Sequence, residues 1–187
     1  MKKIISPLLI CIMVVLFVQC GKEKKYQITK ENVGSITSET TIKDLSTIFE
    51  KDSIVKRLSE GINGSNYRQD EDEYLIFEKG GKHLLTIVPK EQLDETSTLK
   101  SIEIFDARYK TETGINVNSN FGEINANSKI SKVESSILSA TLFIDELNVT
   151  FAIDKEELGL KGFSLQKVSL EQIPDLAKTK SFVVWFN

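Results

Sequence analysis

Few side chains in this sequence are of the types that carry out nucleophilic or metal chemistry. The 187 residues include two cysteines, Cys11 and Cys20, and a single histidine, His83. One imidazole without an identifiable second ligand or partner acid forms neither a zinc site nor a catalytic relay. We interpret His83 as a half-exposed strand residue, whose replacement by glutamine costs no more than about 0.5 kcal/mol. The sequence therefore predicts no catalytic residue, no metal ligand and no cofactor.

Four consecutive acidic residues, Asp70-Glu71-Asp72-Glu73, are the strongest candidate for a cation site. Carboxylate oxygens are the ligands that Ca²⁺ prefers, but consecutive side chains rarely converge on one ion, and the alternation of an EF-hand loop is missing. The favoured interpretation is a solvated loop. A calcium-assisted site at residues 70–73 stays the alternative.

Cys20 lies at the end of an apolar segment near the start of the chain. Lys2 and Lys3 precede an uninterrupted apolar stretch, residues 8–18, and a lysine-rich run follows Cys20. The stretch has the length of a signal-peptide core and is shorter than the roughly 20 residues of a spanning helix. This pattern resembles the signal peptides of bacterial lipoproteins, although Gln19 stands where those signals usually carry a small residue.

The resemblance implies a processed and lipid-modified chain. In that family the signal, here residues 1–19, is cut off before the cysteine, and Cys20 then carries lipid on its sulfur and amine. Residues 20–32 would form a lipidated tether and 33–187 the folded domain, held through the lipid anchor on the extracytoplasmic side of a bacterial cell membrane or outer membrane. Two alternatives keep the export but lose the lipid: an uncleaved short anchor over residues 4–20, and a cleaved secretory signal with an ordinary thiol at Cys20.

Composition and charge narrow the range of partners that the protein can bind. The chain is 40% hydrophobic and 27% charged, as in ordinary globular proteins. Loss of residues 1–19 removes two lysines and no acid, which takes the formal net charge from −3 to −5. An acidic domain is not built to coat nucleic acid, so we predict no nucleic-acid partner. With Cys11 removed and Cys20 lipidated, the domain has no disulfide and must be held by its core.

Three short stretches recur in the same order along the chain and suggest an internal repeat. The clearest match sets the residues around Lys90 against those around Lys155, and the unequal offsets of the three matches indicate loops of different length. The predicted copies are residues 36–105 and 115–186. Chance similarity between two amphipathic segments is the competing interpretation.

Hydrophobic periodicity predicts similar elements in both copies. Helical spacing predicts short helices near residues 42–49 and 121–128, and alternation predicts strands. The predicted strands are residues 74–77, 83–88, 101–105, 139–144, 149–153 and 181–186. The predicted fold class is therefore α+β, as two tandem repeats in which a short helix packs on an antiparallel sheet of about four strands.

These observations favour a binding or accessory module of the cell envelope. A broad sheet surface suits contact with an envelope protein or glycan better than it suits a catalytic pocket. The alternative is an envelope hydrolase that uses carboxylates alone or a calcium-assisted acidic loop.

Overall fold

Strands dominate the described part of the chain. The structure is a computed structural model and describes residues 25–59 and 71–186. The predicted signal segment, Cys20 and Asp70 lie outside the described residues. Within those two ranges, no helix is long and apolar enough to cross a membrane.

The elements are short. Over the described residues the strands are β1 Gln27–Ile28, β2 Asn32–Val33, β3 Ile36–Thr37, β4 Ser53–Arg57, β5 Glu73–Phe77, β6 His83–Pro89, β7 Leu99–Ile104, β8 Lys110–Thr111, β9 Lys132–Ser135, β10 Ser139–Ile144, β11 Val149–Asp154 and β12 Ser181–Trp185. The α-helices are α1 Leu45–Ile48 and α2 Phe121–Asn127, and two 3₁₀ turns span Lys155–Leu158 and Leu170–Gln172. All six predicted strands are present, with ends shifted by at most two residues.

The strands form two sheets. A small sheet has the order β3-β2-β1-β8, and a large one has the order β4-β5-β6-β7-β12-β11-β10-β9. The large sheet consists of two consecutive antiparallel meanders, β4–β7 and β9–β12, which meet where β7 pairs with β12. At this seam Glu103 lies opposite Val183 and Ile102 opposite Val184. Backbone hydrogen bonding is therefore continuous across all eight strands.

One side of the large sheet forms the core, because alternate side chains of a strand point to the same side. The buried residues of this core face are Tyr74, Ile76, Leu85, Ile87, Ile102, Ile104, Leu142, Ile144, Phe151, Ile153, Phe182 and Val184. They belong to one hydrophobic cluster with Ile28 and Val33 of the small sheet and with Leu45 and Phe121 of the helices. The rings of Phe151 and Phe182 stack with centroids 4.3 Å apart.

The predicted fold class is wrong. The described residues hold one α-helix of seven residues and one of four, and their strands form a continuous eight-stranded sheet beside a four-stranded one. The first predicted helix is short because Ile42 N–H donates to Ser97 O at 3.1 Å and Lys43 N–H to Glu95 O at 2.9 Å. These residues pair with another segment instead of beginning a helix. The described part of the protein is mostly β, and the division into copies 36–105 and 115–186 stays a prediction.

The second predicted helix is confirmed as α2. Its first turn carries a capping box, in which Asn120 Oδ1 accepts from Glu123 N–H at 2.9 Å and Glu123 Oε2 accepts from Asn120 N–H at 3.1 Å. The helix is positioned by its buried residues Phe121 and Ile124. Ile42, which precedes α1, is buried as the sequence pattern predicts.

An ion-pair network ties the small sheet to the large one. Asp106, just beyond β7, is 1% exposed and accepts hydrogen bonds from Arg108 and from Lys82. Arg108 also donates to Glu78 Oε1 at 2.8 Å and to the Tyr26 hydroxyl at 3.3 Å, beside β1. Burial opposes ionisation of Asp106, but the hydrogen bonds from Arg108 and Lys82 outweigh it and lower the pKa of the carboxyl to about 2.

Candidate functional site

The side of the large sheet opposite the core carries the candidate site. One row of directly paired residues crosses all eight strands of this side: Val55, Leu75, Thr86, Glu103, Val183, Thr150, Phe143 and Lys132. We call this side of the sheet, with the row and its same-side neighbours, the open face. Five of the eight side chains are half-buried or exposed, and the other three are buried. The row is therefore partly accessible, at Val55 and Lys132 on the edge strands and at Glu103, Val183 and Phe143 between them.

Aromatic rings line the open face on either side of the row. His83 is stacked between Phe77, at 4.7 Å between ring centroids, and Phe105, at 4.0 Å. At the opposite end of the strands, Trp185 Nε1 donates to Thr150 Oγ1 at 3.0 Å, which fixes the indole. Phe105 is 41% exposed and Trp185 37%, so both present ring surface to solvent. Such rings bind apolar groups and cations.

A concave pocket adjoins the row at the Trp185 end. It has a volume of about 340 Å³ and is lined by Phe143, Asp145, Asn148, Thr150 and Trp185, among others. This volume is at the lower end of the range for small-molecule sites, which is roughly 300–1,000 Å³. The pocket can therefore accept a single ring or side chain of a larger partner.

Glu103 is the one acid in the row and lies next to the seam. Its carboxylate is half-buried and makes no hydrogen bond or ion pair with any described residue. Burial and then the negative charge of Glu73 raise the pKa of Glu103. A desolvated carboxylate without a partner lowers the stability of a folded protein. The position suits a ligand that brings its own positive charge.

Sequence reasoning missed Glu103. Residues 101–105 are a predicted strand in which Ile102 and Ile104 point to the core, so Glu103 takes the outward position of an ordinary solvated residue. Its central place follows from the pairing of β7 with β12, which brings together residues 80 positions apart. No local pattern in the sequence reports that pairing.

The structure gives His83 a packing role within the open face. Its Nε2 lies 3.1 Å from both Leu85 O and Thr86 Oγ1, and its ring is held between two phenylalanines. Burial lowers the pKa of the imidazole from its ordinary 6.5. The half-exposed strand position is as predicted, but the two ring contacts make glutamine a poorer substitute than a surface site allows.

We expect His83→Gln to lower the free energy of unfolding by about 1–2 kcal/mol, because both stacking contacts are lost. The wild type is also expected to lose stability as the pH falls below about 6.5, since the unfolded chain takes up the proton first. His83→Phe keeps the rings stacked and removes the titration, which makes it the matched control. Urea unfolding at pH 7.5 and 5.5 measures both effects. Equal stability of wild type and His83→Gln at both pH values would contradict this assignment.

The carboxylates of the acidic run at residues 71–73 do not converge on one point. Glu71 pairs with Lys100, and Glu73 lies 3.7 Å from Arg57. Asp72 is buried and accepts from the backbone N–H groups of Ser59 and Leu93, each at 2.6 Å. Each described acid of the run therefore has its own partner. Across residues 25–59 and 71–186, no group of three or more His, Cys, Asp or Glu side chains is placed to hold a metal ion.

Comparison with known proteins identifies a shared fold. No family model matches the chain, and no curated protein matches it. Among solved structures, it is similar to the crystal structure of the uncharacterized protein yfeY from Escherichia coli. The TM-score is 0.52 at 10% sequence identity, over 85% of this chain and 99% of that chain. At this identity the likeness shows the fold alone.

Proposed function

We propose that the protein is a lipid-anchored binding module of the bacterial cell envelope, whose open face binds an envelope protein or glycan bearing a cationic group. The observation that carries the proposal is Glu103: a half-buried carboxylate without a described partner, in the middle of a row that crosses the whole sheet. The flanking aromatic rings supply apolar and cation-binding surface around it. A sheet face of this kind favours contact over a wide area.

The anchor half of the proposal depends on Cys20. Lys25, where the described chain begins, is five positions after Cys20, and a fully extended chain of that length spans at most about 18 Å. A lipid on Cys20 would therefore hold the sheets close to the membrane surface.

Substitution of each cysteine tests the anchor. In cells fed a labelled fatty acid, Cys20→Ala is expected to accumulate as a larger, unlabelled precursor, because acylation and cleavage both require the thiol. Cys11→Ala is the matched control and should be processed and labelled as the wild type. The mass of the N-terminal peptide gives the direct readout. A mature wild-type chain that begins elsewhere, or carries no acyl group, would refute the lipoprotein assignment.

Substitution of Glu103 tests the binding face. With a photo-crosslinking residue at Val183, beside Glu103, we expect the wild type to capture an envelope component and Glu103→Gln to reduce that capture about ten-fold, as loss of a charged contact does. Glu134→Gln is the matched control, since Glu134 lies on the same side of edge strand β9 and pairs with Lys132. Equal capture by all three proteins would refute the role of Glu103.

Glu103→Gln should also be more stable than the wild type at pH 7. The raised pKa means that ionisation of Glu103 costs stability as the pH rises above the ordinary value near 4.5, and glutamine avoids that cost. The advantage should disappear below about pH 4. This result distinguishes a lost contact from a damaged fold.

A carboxylate-dependent hydrolase is the second candidate, because burial, and after it the charge of Glu73, raises the pKa of Glu103, as a general acid requires. In that case Glu103→Gln would keep the captured glycan and lose its cleavage. The calcium-assisted form has no geometric support, since Glu71, Asp72 and Glu73 have separate partners.

A further inference from the structure

Four large apolar side chains are exposed at the turn of the β9–β10 hairpin and in the loop that is hydrogen-bonded to it. Ile137 is 52% exposed, Leu138 49%, Phe163 79% and Leu165 86%. They belong to one surface, because the N–H of Ser164 donates to Ile137 O at 3.0 Å. We call these four residues the apolar tip. A contiguous exposed patch of this kind marks a contact with a membrane or with another protein.

The tip is held in place by specific hydrogen bonds. Lys155 is fully buried, and its ammonium donates to the carbonyl of Gln166. The N–H of Leu160 donates to Lys155 O at 3.0 Å, and the N–H of Val168 donates to Ser135 Oγ at 2.9 Å. An ammonium group is costly to bury unless it is hydrogen-bonded. The hydrogen bond from Lys155 to Gln166 O therefore fixes the loop, in which the side chains of Phe163 and Leu165 are exposed. The exposure of Phe163 and Leu165 therefore follows from the hydrogen-bonded conformation of the loop.

The charges around the tip favour lipid. Residues 159–169 contain Lys161 and Lys167, and the carboxylate of Glu156 lies beside Gly162 at the base of the same loop. Apolar side chains flanked by lysines are typical of segments that lie in the interface of an anionic bilayer. Lysine is depleted at protein–protein interfaces. The sequence of the loop thus favours a membrane over a protein partner.

The position of the tip agrees with such a contact. Because neighbouring strands of the large sheet are antiparallel, the end of β7 and the start of β10 lie at the same end of the sheet. Tyr26, beside the first described residue, contacts Arg108 just beyond β7. Three strand spacings separate β7 from β10, about 14 Å along the sheet. A lipid on Cys20 would therefore bring the tip within reach of the membrane.

We propose that the apolar tip is a membrane-docking site that inserts into the headgroup region of an anionic bilayer. The proposal rests on the lipid anchor proposed above, which brings the tip to the membrane. Insertion of Phe163 and Leu165 by roughly 5–10 Å, with Lys161 and Lys167 at the phosphate level, would bury their exposed surface. The anchor and the tip together would give two attachments and set the orientation of the open face.

A fluorescent probe at Leu165 tests the docking site. The lipidated mature protein would have no other free thiol, so Leu165→Cys takes a single environment-sensitive label; Leu93→Cys is the matched control, an exposed leucine at the opposite end of the sheet. In vesicles of phosphatidylcholine and phosphatidylglycerol, we expect spin-labelled lipid to quench the probe at 165 several-fold more than the probe at 93. Phe163→Ser should reduce that difference, and so should vesicles of phosphatidylcholine alone.

The results of the quenching experiment test the docking site independently of the lipid anchor. Equal quenching at 165 and 93 in a protein whose Cys20 is acylated would overturn the docking site and leave the anchor intact. A protein without acyl groups that still shows selective quenching at 165 on anionic vesicles would support the docking site and refute the anchor. Shielding of the probe at 165 by envelope proteins but not by vesicles would overturn the docking site in favour of a protein contact.

Discussion

Asp106→Ala is expected to lower the free energy of unfolding by about 3 kcal/mol at pH 7. The carboxylate is 1% exposed and accepts hydrogen bonds from the Arg108 backbone, the Arg108 guanidinium and Lys82. Charge-assisted hydrogen bonds of this kind contribute more than neutral ones, and removal of the acceptor leaves the Arg108 N–H without its partner. Urea-induced unfolding of the wild type and the variant measures the difference.

The pH dependence gives the same prediction a second readout. A pKa of about 2 in the folded protein, against 3.8 ordinarily, corresponds to about 2 kcal/mol of stability at neutral pH. That stability is present above about pH 4 and is lost as the pH falls through 2, so the wild type and Asp106→Ala should converge in acid. Asp154→Ala is the control, because Asp154 pairs with Lys180 at the surface and should cost less than about 1 kcal/mol. Similar losses for both variants would contradict the role of Asp106.

Phe182→Ala is expected to lower the free energy of unfolding by about 3–5 kcal/mol. Phe182 is fully buried on β12, next to the seam, and stacks on Phe151 at 4.3 Å. Removal of the ring would leave a cavity in a region fixed by backbone hydrogen bonds on both sides, which limits its collapse. Phe163→Ala makes the same chemical change at a ring that is 79% exposed and should cost little. Thermal and urea unfolding of the two variants provide the test, and equal losses would show that the seam tolerates the cavity.

The strands of the large sheet were the most predictable part of the fold. The prediction for residues 139–144 matches β10 at both ends, because strict alternation is followed there by the turn residues 145–148. The β5–β6 turn was also predictable, since Gly80 and Gly81 take the positive φ angles that a tight turn requires. In these segments the local sequence determines the local structure.

Long-range pairing accounts for most of what the sequence analysis missed. The small sheet is built from two-residue strands, too short for any periodic signal, and β1 is placed by β8, more than 80 residues away. Ile42 lies in a helical pattern, yet its N–H is bonded to Ser97. The same limit applies to the candidate site, because Glu103 is ordinary within its own strand and becomes distinctive only after the two meanders join.

The seam between β7 and β12 has a consequence for how the chain folds. Within each meander, pairing joins strands that follow one another in sequence, whereas the seam joins Glu103 to Val183. Closing a long loop costs more entropy than closing a hairpin, so the seam is expected to form last. Until then β7 and β12 each present a bare edge that can pair with a neighbouring chain. If the proposed lipid anchor holds copies of the protein side by side on one membrane surface, late closure of this seam is the step at which folding and aggregation compete.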